Sequence, residues 1–286
     1  IIYSGPATGS PWGAKSVNGY AEGDFIYTDN TKTEIKKYVG TSTTVTIPNI
    51  VTSISQQAFY GNTTITSVTM SDSVTSIGQD AFQNCSNLES ITLSNNITTI
   101  NDSTFNQSGL TSIVIPDGVT SIGSSAFYEC NVLSSVTMRN GVTSIGGSAF
   151  EGCDLLQNVT IPASVTSIGS KAFYNISGTL GGASVTCKAT TPPTLGSTVF
   201  IPSYYSTCPT IYVPSSVVNT YKSASGWSDF SGKINPIPNG MELSQSLNVA
   251  TIETIGLTSG TGYYTVNGGS HVSISEGITT LPITQA

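Results

Sequence analysis

Charge is what this sequence has least of. Asp, Glu, Lys and Arg make up 9% of its 286 residues, against roughly a quarter in ordinary soluble domains. Histidine is nearly absent too: His271 is the single one, read as a solvent-exposed tail residue beside Gly-Gly-Ser. Without a second histidine, a His-based metal cluster or a Ser-His-Asp triad has little to build on. The carboxylates are few and scattered, so no glycosidase pair can be singled out, and Asp72, Asp80 and Asp102 do not follow a calcium-loop spacing. The expectation is a chain without catalysis, cofactor or metal. There is no Lys/Arg run, no phosphate-binding glycine loop, and no apolar stretch long enough to span a bilayer. Nine basic against sixteen acidic residues give a net charge of −7 and a pI near 4.5, a balance that attracts neither nucleic acid nor anionic membrane. The sequence opens on Ile1 without a signal peptide and is read as truncated or processed.

Cysteine is also sparse. The five cysteines include no Cys-x-x-Cys pair of the kind that holds zinc, and an odd number argues against a pure disulfide scaffold. Cys85, Cys130 and Cys153 occupy one repeat position and read as small buried apolar residues. Cys130 and Cys153 lie one repeat apart, where parallel side-chain vectors suit a disulfide poorly. Cys187 and Cys208 stand outside the repeat, and their pairing is left open.

What is abundant is repetition. A strand-like triplet recurs from Val45, Val68, Ile91, Ile113, Val136 and Val159, at steps of 23, 23, 22, 23 and 23 residues. A fixed period in this range is the signature of a solenoid. Each copy has an apolar-polar-apolar triplet such as Val136-Thr137-Met138, a polar turn such as Pro116-Asp117-Gly118, and then Val-Thr-Ser-Ile. The triplet reads as a brief strand with one buried face. Gly78, Gly123, Gly146 and Gly169 follow, and a glycine there means either a corner of positive φ or a close backbone approach. The copy closes on Ala-Phe-x-x-Cys-x-x-Leu, whose offsets predict a short helical turn. One coil cannot bury its own apolar side, but stacked coils can. Phe59, Phe82, Phe105, Phe127, Phe150 and Phe173 fall in a column, as do Ile54, Ile77, Ile100, Ile122, Ile145 and Ile168. Each such residue contributes roughly 1.5–3 kcal/mol when buried. The third copy is one residue short between Phe105 and Leu110; a locally tightened turn with an unbroken strand ladder is expected there.

The pattern Leu-x-x-Ile/Val-x-Leu/Ile-Pro-x-x-Val-x-x-Ile-Gly-x-x-Ala-Phe-x-x-Cys, followed closely by Leu110–Cys130 and Leu133–Cys153, resembles the BspA-like class of bacterial leucine-rich repeats. The resemblance covers about residues 45–180. It departs at Ser55 and Asn101, which replace glycine, and at Asn62, Ser108 and Ile176, which replace cysteine. It implies a right-handed leucine-rich-repeat solenoid with a parallel sheet along one face, about six repeats, short helical or 3-10 turns, and terminal caps. It also implies an exported or surface-attached protein acting in adhesion or host interaction.

Four segments are expected: 1–44 as lead-in and β cap, 45–180 as repeats, 181–240 as a carboxy-terminal cap, and 241–286 as a β-rich appendage or the start of a further domain. In the first, Phe25, Tyr27, Ile35, Tyr38 and Val39 are placed over the first coil, since an uncapped solenoid exposes core and strand edges. In the third, Val217, Tyr221, Ala224 and Trp227 recur at helical spacing on a helix capped by Ser215 or Ser216. In the fourth, Val266-Asn-Gly-Gly predicts a hairpin turn.

The candidate interaction face is the outer side of the sheet: Thr69, Thr92, Val114, Thr137 and Thr160, with Arg139 among its few charges. A second outward row holds Thr52, Thr75, Thr98, Thr120, Thr143 and Thr166. A threonine ladder also has a purely structural meaning, since β-branched residues suit strands. The leading reading is a monomeric, non-enzymatic solenoid binding an extracellular protein or surface macromolecule. The alternatives are a glycan-binding module that stacks sugars on Trp12, Tyr20, Tyr27 or Trp227, and a structural spacer.

Overall fold

The computed structural model describes residues 19–176, 182–201 and 208–238, together with the backbone of three strands between 252 and 275. An antiparallel meander comes first, formed by β1 (Tyr20–Glu22), β2 (Phe25–Tyr27) and β3 (Glu34–Tyr38). Six coils follow, each with two short strands: β4 (Thr44–Thr46) and β5 (Ser53–Ile54), β6 (Ser67–Thr69) and β7 (Ser76–Ile77), β8 (Ser90–Thr92) and β9 (Thr99–Ile100), β10 (Ser112–Val114) and β11 (Ser121–Ile122), β12 (Ser135–Thr137) and β13 (Ser144–Ile145), β14 (Asn158–Ile161) and β15 (Ser167–Ile168). Even-numbered strands stack in one parallel row and odd-numbered strands in another, with each residue facing its counterpart one repeat away, as in Val45 opposite Val68 and Ile122 opposite Ile145.

The meander performs the capping expected of it. Its last strand pairs in parallel with β5, and Tyr38 stacks on Phe59 with ring centroids 5.3 Å apart. Phe25, Tyr27, Ile35 and Tyr38 are buried. Val39 is not part of this cover: it lies 48% exposed, because alternation along β3 turns the residue after Tyr38 outward.

The third side of each coil is not helical. It consists of overlapping turns in which alternate residues solve different halves of the backbone hydrogen-bond problem. Phe59, Phe82, Phe105, Phe127 and Phe150 each donate their N–H to the next coil, at 2.8 Å in every case. The residue on either side donates within its own turn, as Tyr60 does to Gln57 at 3.2 Å. The geometry requires a left-handed residue two positions before each phenylalanine: Gln57, Asp80, Ser103, Ser125, Ser148 and Lys171 have φ between 53° and 58°. An α-helical turn would direct its N–H groups along its own axis; these turns direct half of them to the neighbouring coil. The phenylalanines consequently form one continuous stack, with centroids 4.6 to 6.0 Å apart from Phe59 to Phe200.

The strand rows are not unbroken. Pairing is lost between β7 and β9, between β8 and β10, and between β12 and β14. The first two interruptions flank the short third coil. Asn101 stands there where its neighbours have glycine. Gly78 and Gly123 donate their backbone N–H to Ile54 and Ile100 at 2.7 Å. Asn101 instead bridges to the Ile77 carbonyl through its side-chain amide, Nδ2 to O at 2.6 Å. Here β9 does not pair with β7, while it still pairs with β11. β8 does the opposite, pairing with β6 and not with β10. The third coil thus pairs with the second through β8 alone and with the fourth through β9 alone. It also carries polar residues at core positions, Thr104 for alanine and Ser108 for cysteine, both buried.

The rows continue past residue 180, inside the segment expected to be a cap. β16 (Ser184–Cys187) pairs with β14 in the repeat register, β17 (Thr194–Leu195) pairs with β15, and β18 (Thr210–Val213) and β19 (Ile234–Pro236) extend the first row. This gives about eight turns in all. The step from Val159 to Val185 and from Val185 to Ile211 is 26 residues, which hides the period, while Phe200 and Trp227 prolong the aromatic column. The expected helix is shorter than its spacing predicts. One 3-10 turn, Ser215–Val217, leads into α1 (Val218–Ser223), and neither serine caps it by its side chain. Ala224 is extended and Gly226 has φ +76°, which ends the helix before Trp227. Tyr221 and Trp227 are nevertheless buried side by side, centroids 4.8 Å apart, and Val217 and Ala224 pack against the core.

A second compact unit begins at Ile237. Its described part is an antiparallel sheet of β20 (Ile252–Thr258), β21 (Thr261–Val266) and β22 (Val272–Ser275). The predicted turn after Val266 and His271 lie outside the described residues.

All five cysteines are buried and free, so Cys187 and Cys208 are unpaired. The Cys187 thiol lies 3.2 Å from the Tyr221 hydroxyl, which donates to the Ala189 carbonyl at 2.8 Å.

Candidate interaction face

Two ranks of side chains point outward from the even-numbered strands. One runs Thr44, Ser67, Ser90, Ser112, Ser135 and Asn158; the other runs Thr46, Thr69, Thr92, Val114, Thr137 and Thr160. Their order follows from the alternation of a strand whose central Val or Ile is anchored in the core. Thr69, Thr92, Val114 and Thr137 are exposed and Thr160 is half-buried. The rank ends at the seventh coil, where Thr186 is buried. The structure therefore brings the predicted face together. Some of its hydroxyls bond sideways, as Ser90 does to Ser67 at 3.2 Å, and the rest are free to meet a partner.

The second predicted row has a different role. The hydroxyls of Thr75, Thr120, Thr143 and Thr166 donate to the carbonyls of Thr52, Thr98, Thr120 and Thr143, at 3.0 to 3.3 Å. These threonines spend their hydrogen-bonding capacity on the neighbouring coil.

One place on the face is not flat. Where β8 and β10 part, a cleft of about 330 Å³ opens between Ile91, Leu93, Ile113, Val114 and Pro116, with Thr92, Asp117 and Arg139 at its rim. Ile47, Met70 and Ile115 each donate a backbone N–H to the facing threonine, Thr69, Thr92 and Thr137, at 2.8 to 3.0 Å. No such bond joins Leu93 to Val114. Ile91 is half-buried, whereas its counterparts Val45, Val68, Ile113, Val136 and Val159 are buried. Val114, 53% exposed, is the apolar member of an otherwise threonine rank. Arg139 reaches Asp117 through Nε at 3.4 Å. Sequence reasoning marked Thr92, Val114 and Arg139 but missed the cleft. The signals were present in Asn101 and in the missing residue before Leu110.

The ring candidates are arranged otherwise than the glycan reading requires. Trp227 is fully buried and donates its indole N–H to the Pro193 carbonyl at 2.7 Å. Tyr27 is buried too. A ring enclosed on both faces has no surface on which to stack a sugar. Tyr20 is half-buried with the Lys32 ammonium over its ring, and Trp12 lies outside the described residues. Among the described residues, no group of three or more His, Cys, Asp or Glu is placed to hold a metal ion, and no helix is long and apolar enough to cross a membrane.

The sequence matches the profile of the BspA type leucine rich repeat region, in six copies over residues 31–132 and 98–224. The chain belongs to the BspA-type leucine-rich repeat family. Among solved structures of this kind, the T. pallidum leucine-rich repeat protein TpLRR is 28% identical, with a TM-score of 0.53 over 58% of this chain and 78% of that one. A leucine-rich repeat protein from Eubacterium ventriosum is 27% identical, with a TM-score of 0.48 over 55% of this chain and 49% of the other. A leucine rich cell surface protein from Faecalibacterium prausnitzii is 21% identical, with a TM-score of 0.38 over 68% and 75%. No curated protein matches the chain. The BspA-type repeats extend here over the polar face just described, and their match reaches through the seventh coil.

Proposed function

We propose that this BspA-type repeat chain is a non-enzymatic recognition module of the cell surface or the secreted fraction, which binds another protein through the outer face of its even-numbered strands. The observation that carries this reading is the exposed rank Thr69, Thr92, Val114 and Thr137, fixed in position by buried neighbours on either side. A face whose strands are anchored by buried Val and Ile side chains loses little conformational freedom on binding, which favours affinity from modest contacts. Its scarcity of charge leaves shape and hydroxyl hydrogen bonds as the means of selection. Adhesion is the finer form of the proposal, with a host or bacterial surface protein as partner.

The test is a pull-down from extracellular host and bacterial surface proteins, read by mass spectrometry. The full chain serves as bait beside a variant carrying Thr92→Lys, Thr137→Lys and Thr160→Lys. A partner held by the first and lost by the second supports the face. A partner held equally by both removes the face from consideration, and capture of nothing by either removes protein recognition.

A further inference from the structure

The cleft between β8 and β10 has features that the rest of the face lacks, and they fit one kind of occupant. Its lining is mixed: the aliphatic Ile91, Leu93, Ile113, Val114 and Pro116 stand beside hydroxyl, amide and charged side chains, Asn95 and Arg139 among them. No aromatic ring lines it, so it has no platform for a sugar. It opens between two extended segments whose lateral pairing is missing on this side, since Leu93 and Val114 do not exchange the hydrogen bond made at the same register by Met70 with Thr92. A peptide in extended conformation can offer main-chain groups there, as in other cases where a sheet edge receives a strand. The charges around the cleft are unequal. Asp117 and Arg139 line it as a pair, 3.4 Å apart. Two further carboxylates lie beside lining residues: Asp72 accepts the Asn95 N–H at 2.9 Å, and Glu89 precedes Ser90.

We infer that the cleft is a docking pocket for an extended peptide segment of a partner protein, which inserts a branched aliphatic side chain between Ile91 and Ile113 and places a flanking Lys or Arg against Glu89 or the Asp72–Asp117 end. This inference rests on the protein-recognition reading above. The pocket lies where the third coil pairs unevenly: β8 pairs with β6 and not with β10, and β9 pairs with β11 and not with β7. The third coil, with Asn101, Thr104, Ser108 and a missing residue, departs most from the repeat, and the opening is where its departures converge.

The probes are two acetylated, amidated pentapeptides, Lys-Val-Leu-Val-Lys and Glu-Val-Leu-Val-Glu, titrated into the full chain labelled at its Ile, Leu and Val methyl groups and followed by NMR. The basic peptide is expected to shift the methyls of Ile91, Leu93, Ile113 and Val114 saturably, and to bind about 2- to 30-fold more tightly than the acidic one, the range expected of two exposed charge pairs. Raised salt should narrow the difference. Val114→Lys, at an exposed position that leaves the core untouched, should abolish the shifts. Asn101→Gly should reduce them by restoring the pairing of β7 with β9. Equal binding of both peptides, shifts confined to other methyls, or undiminished binding to Val114→Lys would each overturn the pocket. Failure here is separable from failure of the broader reading. A partner captured in the pull-down by the full chain and by Val114→Lys alike, but lost by the triple threonine variant, leaves the face standing without the pocket.

Discussion

A glycine at the corner of a coil stands there for want of room. Gly146 does not have a positive φ; a Cβ on it would lie 2.5 Å from the backbone of Gly123 and Ser124 in the coil before. Of the two reasons a glycine can occupy such a corner, the structure selects close approach. Gly146→Ala should therefore destabilise the chain by about 1–3 kcal/mol, as overpacking against fixed backbone does. Gly147→Ala, whose Cβ would stand 3.3 Å from the Ser170 carbonyl, should cost distinctly less. Urea denaturation midpoints of the two variants compare them directly. The cysteines give a second residue-scale prediction. Burial pushes the Cys85 thiol up to about 12 and that of Cys130 up to about 11. Because both folded values lie above the unfolded one near 9, the neutral thiols favour the folded state fully below about pH 9. That contribution is lost as pH rises towards 11–12, since the unfolded chain then releases protons that the folded chain retains. Thermal unfolding followed from pH 7 to 11 should show the decline, and a Cys85→Ala, Cys130→Ala variant should show less of it. At pH 8 the folded protein should resist thiol-specific reagents until denaturant is added.

At the scale of the element, the repeat was legible and its defects were not. Phe, Ile and Val at fixed offsets placed the strands and their buried faces, since each buried position recurs at one spacing. The back of the coil was misread as helical because i, i+3 and i+4 spacing also describes overlapping turns. What distinguishes them is where the N–H groups go, which no side-chain pattern records. The interruptions beside the third coil had a sequence signal in Asn101 and the missing residue; the one between β12 and β14 falls between coils of full length, and nothing in the structure explains it. These interruptions have a measurable counterpart. The amides of Met70 and Ile115 donate to Thr92 and Thr137, whereas Leu93 and Met138 lack the equivalent bond. Amide hydrogen exchange should find Leu93 and Met138 less protected than Met70 and Ile115, although all four side chains are buried. Equal protection would mean that the rows are continuous in solution.

At the scale of the molecule, the unit that ends at Pro236 is a stack in which each coil is stabilised by its neighbours, so where the stack ends decides what can be removed. The six recognisable copies end near residue 180, and the seventh coil is hidden from the repeat because the step from Val159 to its counterpart Val185 is 26 residues. The packing does not end there. Ile161 faces Cys187, Ile168 faces Leu195, and Phe173 stacks on Phe200 at 6.0 Å. Trp227, 6.2 Å from Phe200 and bonded to Pro193, then closes the aromatic column with Phe230, edge-on to Phe200 at 5.4 Å. A chain cut after residue 180 would bare Val159, Ile161, Ile168 and Phe173 together, all of them buried in the intact protein. At roughly 1.5–3 kcal/mol for each large apolar side chain returned to water, the loss is comparable to the whole stability of a domain, and β14 and β15 would become open edges. A fragment of residues 19–238 keeps every one of these contacts. Circular dichroism melts should show cooperative unfolding for 19–238 close to that of the full chain, while 1–180 should melt broadly, at much lower temperature, or aggregate. The opposite result, a well-behaved 1–180, would make the seventh and eighth turns dispensable and return residues 181–240 to the status of a separate cap.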